Sequence, residues 1–340
     1  DRPLDNKRKE KLAFASNVVV GHIISAPDTD NIYEIPLNFE EDGLSETLLD
    51  LLKLKPKKKN LNDWRAMVER YRQAKESVRI GIVCKYFKTG DFVLVDVYIS
   101  VIEALKHAAT ALNKRLTIEW LDAMDHETDA TRVEELGVYD GLLVPGGFGA
   151  RGVEGKIKVI RFARESGLPY FGLCYGMQLA IVEYTRNALG FADAQTTEIN
   201  PHTKHPVIDL MPEQKKNLKD GDYGATMRLG AYLAKLRPGT IAAAAYGAAR
   251  VSERHRHRYE VNPAYIAKLE AGGLVFSGRS PDGRLMEIME LAPAAHPFFL
   301  GTQFHPEFKS RPLEPHPLFL AFIEAAAGRA FEATLAAPTW

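Results

Sequence analysis

Three short segments of this chain hold the residue types that acyl transfer requires. In Phe171-Gly172-Leu173-Cys174-Tyr175-Gly176-Met177-Gln178 an apolar run at 168–173 ends on a cysteine flanked by glycines, and a helical pattern follows over 177–184. That spacing predicts a strand-to-helix turn displaying Cys174: the glycines permit a tight bend, and a helix N-terminus favours thiolate over thiol. A cysteine nucleophile needs a base, and the base an orienting carboxylate. His305 and Glu307 lie two residues apart after the apolar run Phe298-Phe299-Leu300-Gly301, and on an extended segment they point the same way. Pro145-Gly146-Gly147-Phe148-Gly149 follows another apolar run, 141–144, and its bare backbone offers N–H groups to an oxyanion. Singly, each piece has a plainer reading as core cysteine, turn or surface loop. Together, each closing a strand-like run, they fall where open α/β sheets place their sites, and Cys174 is read as the nucleophile.

Those runs need a scaffold. Strand-like segments recur at 79–84, 116–121, 141–144 and 170–173, and an amphipathic helix is predicted over 97–112. The alternation predicts an α/β fold, an open, mostly parallel, flavodoxin-like sheet with helices on both faces. Beyond Phe191 the helical signal weakens. Strands are expected at 252–261, 273–279 and 285–291, then the His305 loop and a last helix at 318–327. Ahead of the sheet, residues 1–54 carry a basic opening, Lys7-Arg8-Lys9-Glu10-Lys11, and a helix at 45–54, with too few apolar residues for a core of their own. A lysine-rich, proline-broken linker follows, then a helix at 61–75 with Trp64, Met67 and Tyr71 on one apolar face. The expected organisation is 1–54, a linker and helix at 55–77, the α/β domain at 78–330, and a tail at 331–340.

Lys+Arg and Asp+Glu both number 44, so bulk charge gives no reason to expect nucleic acid or an anionic membrane as partner. No apolar run reaches membrane-spanning length, and Asp1-Arg2-Pro3-Leu4 is no signal peptide. Lacking an initiator methionine, the chain reads as processed or as a piece of a longer one. Two cysteines suit a reducing, cytoplasmic compartment without a disulfide framework, and Cys84 is read as a core residue. In Arg254-His255-Arg256-His257-Arg258 the two histidines share one face of a strand and are able to chelate. No third ligand is suggested nearby, so no metal is expected. The arginine face suits an anionic ligand, and a purely solvated strand is the alternative.

With these residues in hand, the chain resembles the class I glutamine amidotransferases and, more narrowly, the glutaminase end of the CTP synthase family. Pro145-Gly146-Gly147-Phe148-Gly149-Ala150-Arg151-Gly152, Thr226-Met227-Arg228-Leu229-Gly230, the segment from Glu253 through Asn262, and Gln303-Phe304-His305-Pro306-Glu307-Phe308 carry the likeness over 79–328. Residues 1–54, with Asp28-Thr29-Asp30-Asn31-Ile32-Tyr33, resemble the end of that family's amidoligase domain, and no Walker-type phosphate loop occurs in the chain. The resemblance implies a Cys174–His305–Glu307 triad that hydrolyses L-glutamine without a cofactor. It implies oxyanion donors at Gly147 and Tyr175, a pocket lined by Gly176, Met177 and Gln178, and Glu198 and Arg258 for the substrate's α-amino and carboxylate ends. It also matches Lys11 and Thr29 to nucleotide positions and implies a GTP site near Phe148 and Arg151. For the complete enzyme the resemblance implies ATP, Mg2+, UTP and GTP, a tetramer, and amination of UTP to CTP. The 340-residue chain alone is expected to hydrolyse glutamine weakly and make no CTP. The segment 85–97 is longer than the family pattern, which puts its interdomain contacts in question. Alternatives are an amidotransferase serving another synthase, and a non-catalytic filament or scaffold subunit.

Overall fold

The computed structural model describes every residue except 1, 57–59, 86–87, 90–91, 94, 130, 212–226 and 329–340. The lysine-rich part of the linker, much of the 85–97 segment, Thr226 and the 331–340 tail therefore lie outside the described residues. The chain divides into two compact units, Asp1–Gln73 and Ala74–Trp340.

In the first unit, short helices are joined by polar contacts. Asp5 caps the helix Asn6–Ser16 by accepting from the Arg8 backbone N–H, which satisfies one of its orphan donors. Asp42 accepts from the Ser25 N–H at 2.7 Å and from Lys9 Nζ at 3.0 Å. The helix predicted at 61–75 forms over Asn62–Gln73 and belongs to this unit. Its Trp64 indole donates to Tyr33 O at 2.7 Å, and Arg72 pairs with Glu34. Met67 and Val68 are buried, whereas Tyr71 is exposed. Helical geometry sets Val68 beside Trp64, and Tyr71 lies a turn further along, past the buried patch.

The second unit is built on one large sheet. In chain order its strands, with those of a small second sheet, are β1 Ser77–Cys84, β2 Arg115–Asp122, β3 Gly141–Val144, β4 Tyr170–Leu173, β5 Ala194–Thr196, β6 His205–Leu210, β7 Arg228–Leu236, β8 Arg250–His257, β9 Tyr259–Val261, β10 Leu274–Arg279, β11 Met286–Leu291 and β12 Phe299–Thr302. The large sheet runs β8-β7-β10-β11-β12-β4-β3-β1-β2, and β9-β6-β5 form the small one. From β12 through β4, β3 and β1 to β2 every pairing is parallel, and from β12 to β8 every pairing is antiparallel. Strands β3, β4 and β12 are buried along their whole length, as expected of parallel strands covered on both faces. Helices Val153–Ser166 and Tyr175–Asn187 pack with one apolar cluster, and helices Ile99–Ala111 and Pro317–Ala326 with another.

Three sequence expectations change. The helix expected over 97–112 is α-helical at Ile99–Ala111, after a 3-10 turn. The run 252–261 is two strands in different sheets, broken at Arg258, where β8 ends and the chain turns to pair with β6. Helices Ile241–Tyr246 and Pro263–Ala271 occupy the region where the helical signal is weak. Both start on side-chain caps, Thr240 and Asn262, a local signal that apolar periodicity does not carry.

Candidate active site

The pieces read from the sequence converge at the carboxyl ends of four adjacent strands, β12, β4, β3 and β1. Cys174 follows β4 and stands at the head of the helix Tyr175–Asn187, with φ 49° and ψ −96°. A non-glycine residue in that region is strained by about 1–3 kcal/mol, and the surroundings hold it there. Its N–H donates to Thr302 O at 2.6 Å, continuing the β4–β12 ladder into the turn. Gly176 makes the turn possible, because a Cβ there would lie 2.2 Å from Val144 O. The helix can approach β3 that closely only without a side chain. Cys174 is 5% exposed, and Cys84, at the end of β1, is fully buried.

His305 and Glu307 meet differently from the sequence expectation. His305 is the N-cap of a 3-10 turn, Pro306–Lys309, so the pair lies on a turn rather than on an extended segment. Pro306 fixes the backbone at the turn's first position, and the two side chains still meet, His305 Nδ1 to Glu307 Oε1 at 2.8 Å. With Nδ1–H donated to the carboxylate, Nε2 is the nitrogen left for proton transfer. Burial opposes charge on this imidazole. The Cys174 sulfur and the Glu307 carboxylate outweigh burial and hold the ring well above the usual histidine range.

The Pro145–Gly149 loop lies against both groups. A Cβ on Gly146 would stand 2.8 Å from His305 Cε1 and 3.8 Å from Cys174 Cβ. Gly149, at φ 76°, donates its N–H to Glu198 Oε1 at 2.8 Å, and its carbonyl accepts from the Tyr175 hydroxyl at 2.7 Å. Lys85, buried at the end of β1, donates to Phe148 O and sits 4.7 Å from the centre of the Phe148 ring. Glu198 is therefore tied to the loop. Burial raises its carboxyl above the usual range, against the lowering pull of the Gly149 N–H and Lys85. The Tyr259 hydroxyl is raised by burial first, then by the charge of Glu198, with Arg258 opposing. Phe148 and Arg151 are exposed, and Met177 and Tyr175 are buried. Lys11 and Thr29 belong to the first unit, where Lys11 is exposed and Thr29 Oγ1 contacts Asn31 O and Glu34 at 3.3 Å.

Sequence reasoning misses three residues. Gln303 opens the motif that holds His305 and has no role of its own there, yet it is buried with Nε2 3.6 Å from Cys174 Sγ. Lys85 and the fully buried Lys156, whose ammonium lies 5.5 Å from the Tyr175 ring centre, carry no local signature. Their position after or behind strands shows only once the sheet is assembled. Strand β8 alternates as expected, with His255 and His257 inward and Arg254 and Arg256 exposed. The inward pair meets Arg228, Glu260 and Glu287, and the backbone carbonyls of Arg254 and Arg256 face His305 N and Cys174 Sγ, at 2.8 and 3.9 Å. Among the described residues no group of three or more His, Cys, Asp or Glu is placed to hold a metal ion.

Comparison with known proteins agrees with this geometry. The family model for glutamine amidotransferase class-I matches residues 93–325, and that for the CTP synthase N-terminus matches 1–54. CTP synthase of Rubrobacter xylanophilus is 49% identical over 98% of this chain, and that of Pelotomaculum thermopropionicum 52% identical over 95%. The chain spans only 58% of the length of each of these relatives. A solved structure of the Trypanosoma brucei CTPS glutaminase domain with bound acivicin is 36% identical, with a TM-score of 0.67, covering 77% of this chain and 98% of that one. With the cysteine turn, the His–Glu pair and the glycine loop on adjacent strand ends, the chain belongs to the class I glutamine amidotransferases, in their CTP synthase branch.

Proposed function

We propose that this chain hydrolyses the side-chain amide of L-glutamine and that, in the complete protein, the ammonia aminates UTP to CTP at the expense of ATP. The observation that carries the reading is the strained Cys174 turn with the 2.8 Å His305–Glu307 pair beside it, both covered by the Gly146 loop. The Cys174 thiolate attacks the amide carbon, and the oxyanion takes N–H groups from Gly147 and Tyr175. His305 gives its proton to the departing ammonia. Water, deprotonated by His305, then attacks the thioester and releases glutamate, while Glu307 holds the imidazole in one tautomer. The turn 175–177 shapes the pocket. Glu198 receives the substrate ammonium and Arg258 its carboxylate, a charge pattern that suits a free amino acid.

For the nucleotide half the support is coarser. Lys11 and Thr29 form no triphosphate cradle by themselves, so no step is assigned to ATP or Mg2+. A GTP activator near Phe148 and Arg151, a homotetramer and a cytoplasmic setting are parts of the same proposal. Glutamine-dependent ammonia release, lost in Cys174→Ala, tests the glutaminase reading, and a glutamine-analogue electrophile should label Cys174 and spare Cys84. A wild-type chain that releases no ammonia sinks it. CTP formation from UTP, ATP and ammonium chloride by this chain would refute the expectation that it makes no CTP.

A further inference from the structure

Gln303 has no part in the triad chemistry, although its side chain is fully buried against the nucleophile. The partners decide which end of its amide faces the sulfur. Tyr259 O is an acceptor only, so the end of the Gln178 side chain 3.0 Å from it is the amino group. That amino group also meets Gln303 Oε1 at 3.1 Å. Gln303 is left to present its own amino group to Cys174 Sγ, at 3.6 Å. One backbone carbonyl thus sets the polarity of both amides.

The carbonyl is itself held. His257 Nδ1 lies 3.2 Å from Tyr259 O and must donate, so its Nε2 accepts from His255 Nδ1 at 3.1 Å. Arg228 pairs both ends of its guanidinium with Glu287, at 2.9 and 2.6 Å, and because His255 Nδ1 carries its own proton toward His257, the 3.3 Å approach of Arg228 to that nitrogen is a charge contact rather than a donated bond. Burial first and the Arg228 charge second push His255 down to about 2 and His257 down to about 3, so both rings are neutral. Two backbone bonds close the frame: Gln303 N to Glu287 O at 2.8 Å, and Gln178 N to Cys174 O at 3.2 Å. The sulfur also lies 3.9 Å from Arg256 O. A thiol can donate to that carbonyl and a thiolate cannot, so the Gln303 amide becomes the sulfur's donor when it ionises.

We propose that Gln303 is a positioning residue whose amide, oriented by Gln178 and the Tyr259 carbonyl, donates to the Cys174 sulfur and holds it for attack. The inference rests on the glutaminase reading. Its test uses the whole 340-residue chain with Gln303→Met, which keeps much of the volume and removes the N–H. The readouts are kcat, KM for glutamine, thermal melting, and the pH midpoint of Cys174 alkylation by iodoacetamide. Losing a hydrogen bond to a charged sulfur should lower kcat by about tenfold and move the alkylation midpoint up by about one pH unit, with KM changed less than about twofold. Gln178→Met should act in the same direction and less strongly. A Gln303→Met chain with unchanged kcat and midpoint overturns the proposal, and so does a raised KM at unchanged kcat, which marks a substrate contact instead. If Gln303→Met fails to fold, the nearly isosteric Gln303→Glu reads the same midpoint, and no upward shift there is equally fatal. A wild-type chain without ammonia release defeats the glutaminase reading alone, because the alkylation midpoints still decide whether the amide chain acts on the sulfur.

Discussion

The two compact units of this chain solve the burial problem in opposite ways. The Ala74–Trp340 unit buries β3, β4 and β12 completely and packs two apolar clusters with its helices. In the Asp1–Gln73 unit the buried apolar side chains among the described residues are Ala13, Met67 and Val68, while Phe14 is 91% exposed and Val19, Leu51, Leu52 and Leu54 are exposed as well. Polar contacts such as Trp64–Tyr33 and Asp42–Ser25 shape the first unit, and the hydrophobic effect shapes the second. Burial supplies the driving force and hydrogen bonds mostly the specificity. A site that depends on a strained turn can therefore be carried by the second unit, which has the core to hold Cys174 at positive φ.

Several measurements would break or sharpen that contrast. The largest effect is expected for His305→Ala, which should lower ammonia release by about two to four orders of magnitude, the scale of a general acid–base group. An unchanged rate would remove His305 from the chemistry. Gly146→Ala drives a methyl to 2.8 Å from the imidazole and should lower kcat by roughly tenfold to a hundredfold through misplacement alone. Wild-type kcat in that variant would show that the loop yields easily. Native-state hydrogen exchange should then separate the units, with amides of β3, β4 and β12 protected about a hundredfold or more beyond those of Asn62–Gln73. Equal protection would mean that the polar unit is as stable as the cored one.

A smaller effect concerns pH. His255 and His257 are neutral in the fold, pushed down to about 2 and about 3, but take protons below about pH 6.5 once unfolded. The unfolded chain then binds more protons, so their contribution to stability falls as pH drops from about 6.5 toward 3. Glu260 and Glu287, both raised by burial, act in the opposite sense, because the fold keeps their protons to higher pH. The informative measurement therefore sets one chain against another. From pH 7.5 to 5 the wild type should lose a few degrees more in melting temperature than His257→Gln, and equal losses would contradict a neutral buried pair. The smallest effect on activity belongs to Trp64→Ala. It should speed exchange across Asn62–Gln73 while ammonia release changes less than about twofold, since the catalytic frame has its own core.

Much of this molecule is legible in the order of its residues. Apolar runs locate β1 to β4 and β12, and the Gly-containing turns after β3 and β4 locate the Gly146–Gly147 loop and Cys174, because strand burial and backbone bending are local properties of residue type. The alternation of β8 puts His255 and Arg256 on opposite faces. Other features need the assembled sheet. Periodicity does not register a capped helix such as Pro263–Ala271, and it reads 252–261 as one run although the chain changes sheets at Arg258. The approach of Gln303 to Cys174 spans 129 residues, and that of Lys85 to Phe148 spans 63. Long-range proximity depends on strand order, and nothing in the local residue types states that β12, β4, β3 and β1 are neighbours. By itself the sequence pointed to the candidate residues Cys174, His305 and Glu307 and to the turn that displays Cys174. Only the tertiary structure decided which carbonyls, amides and charges surround them, because those partners arrive from strands far away in the chain.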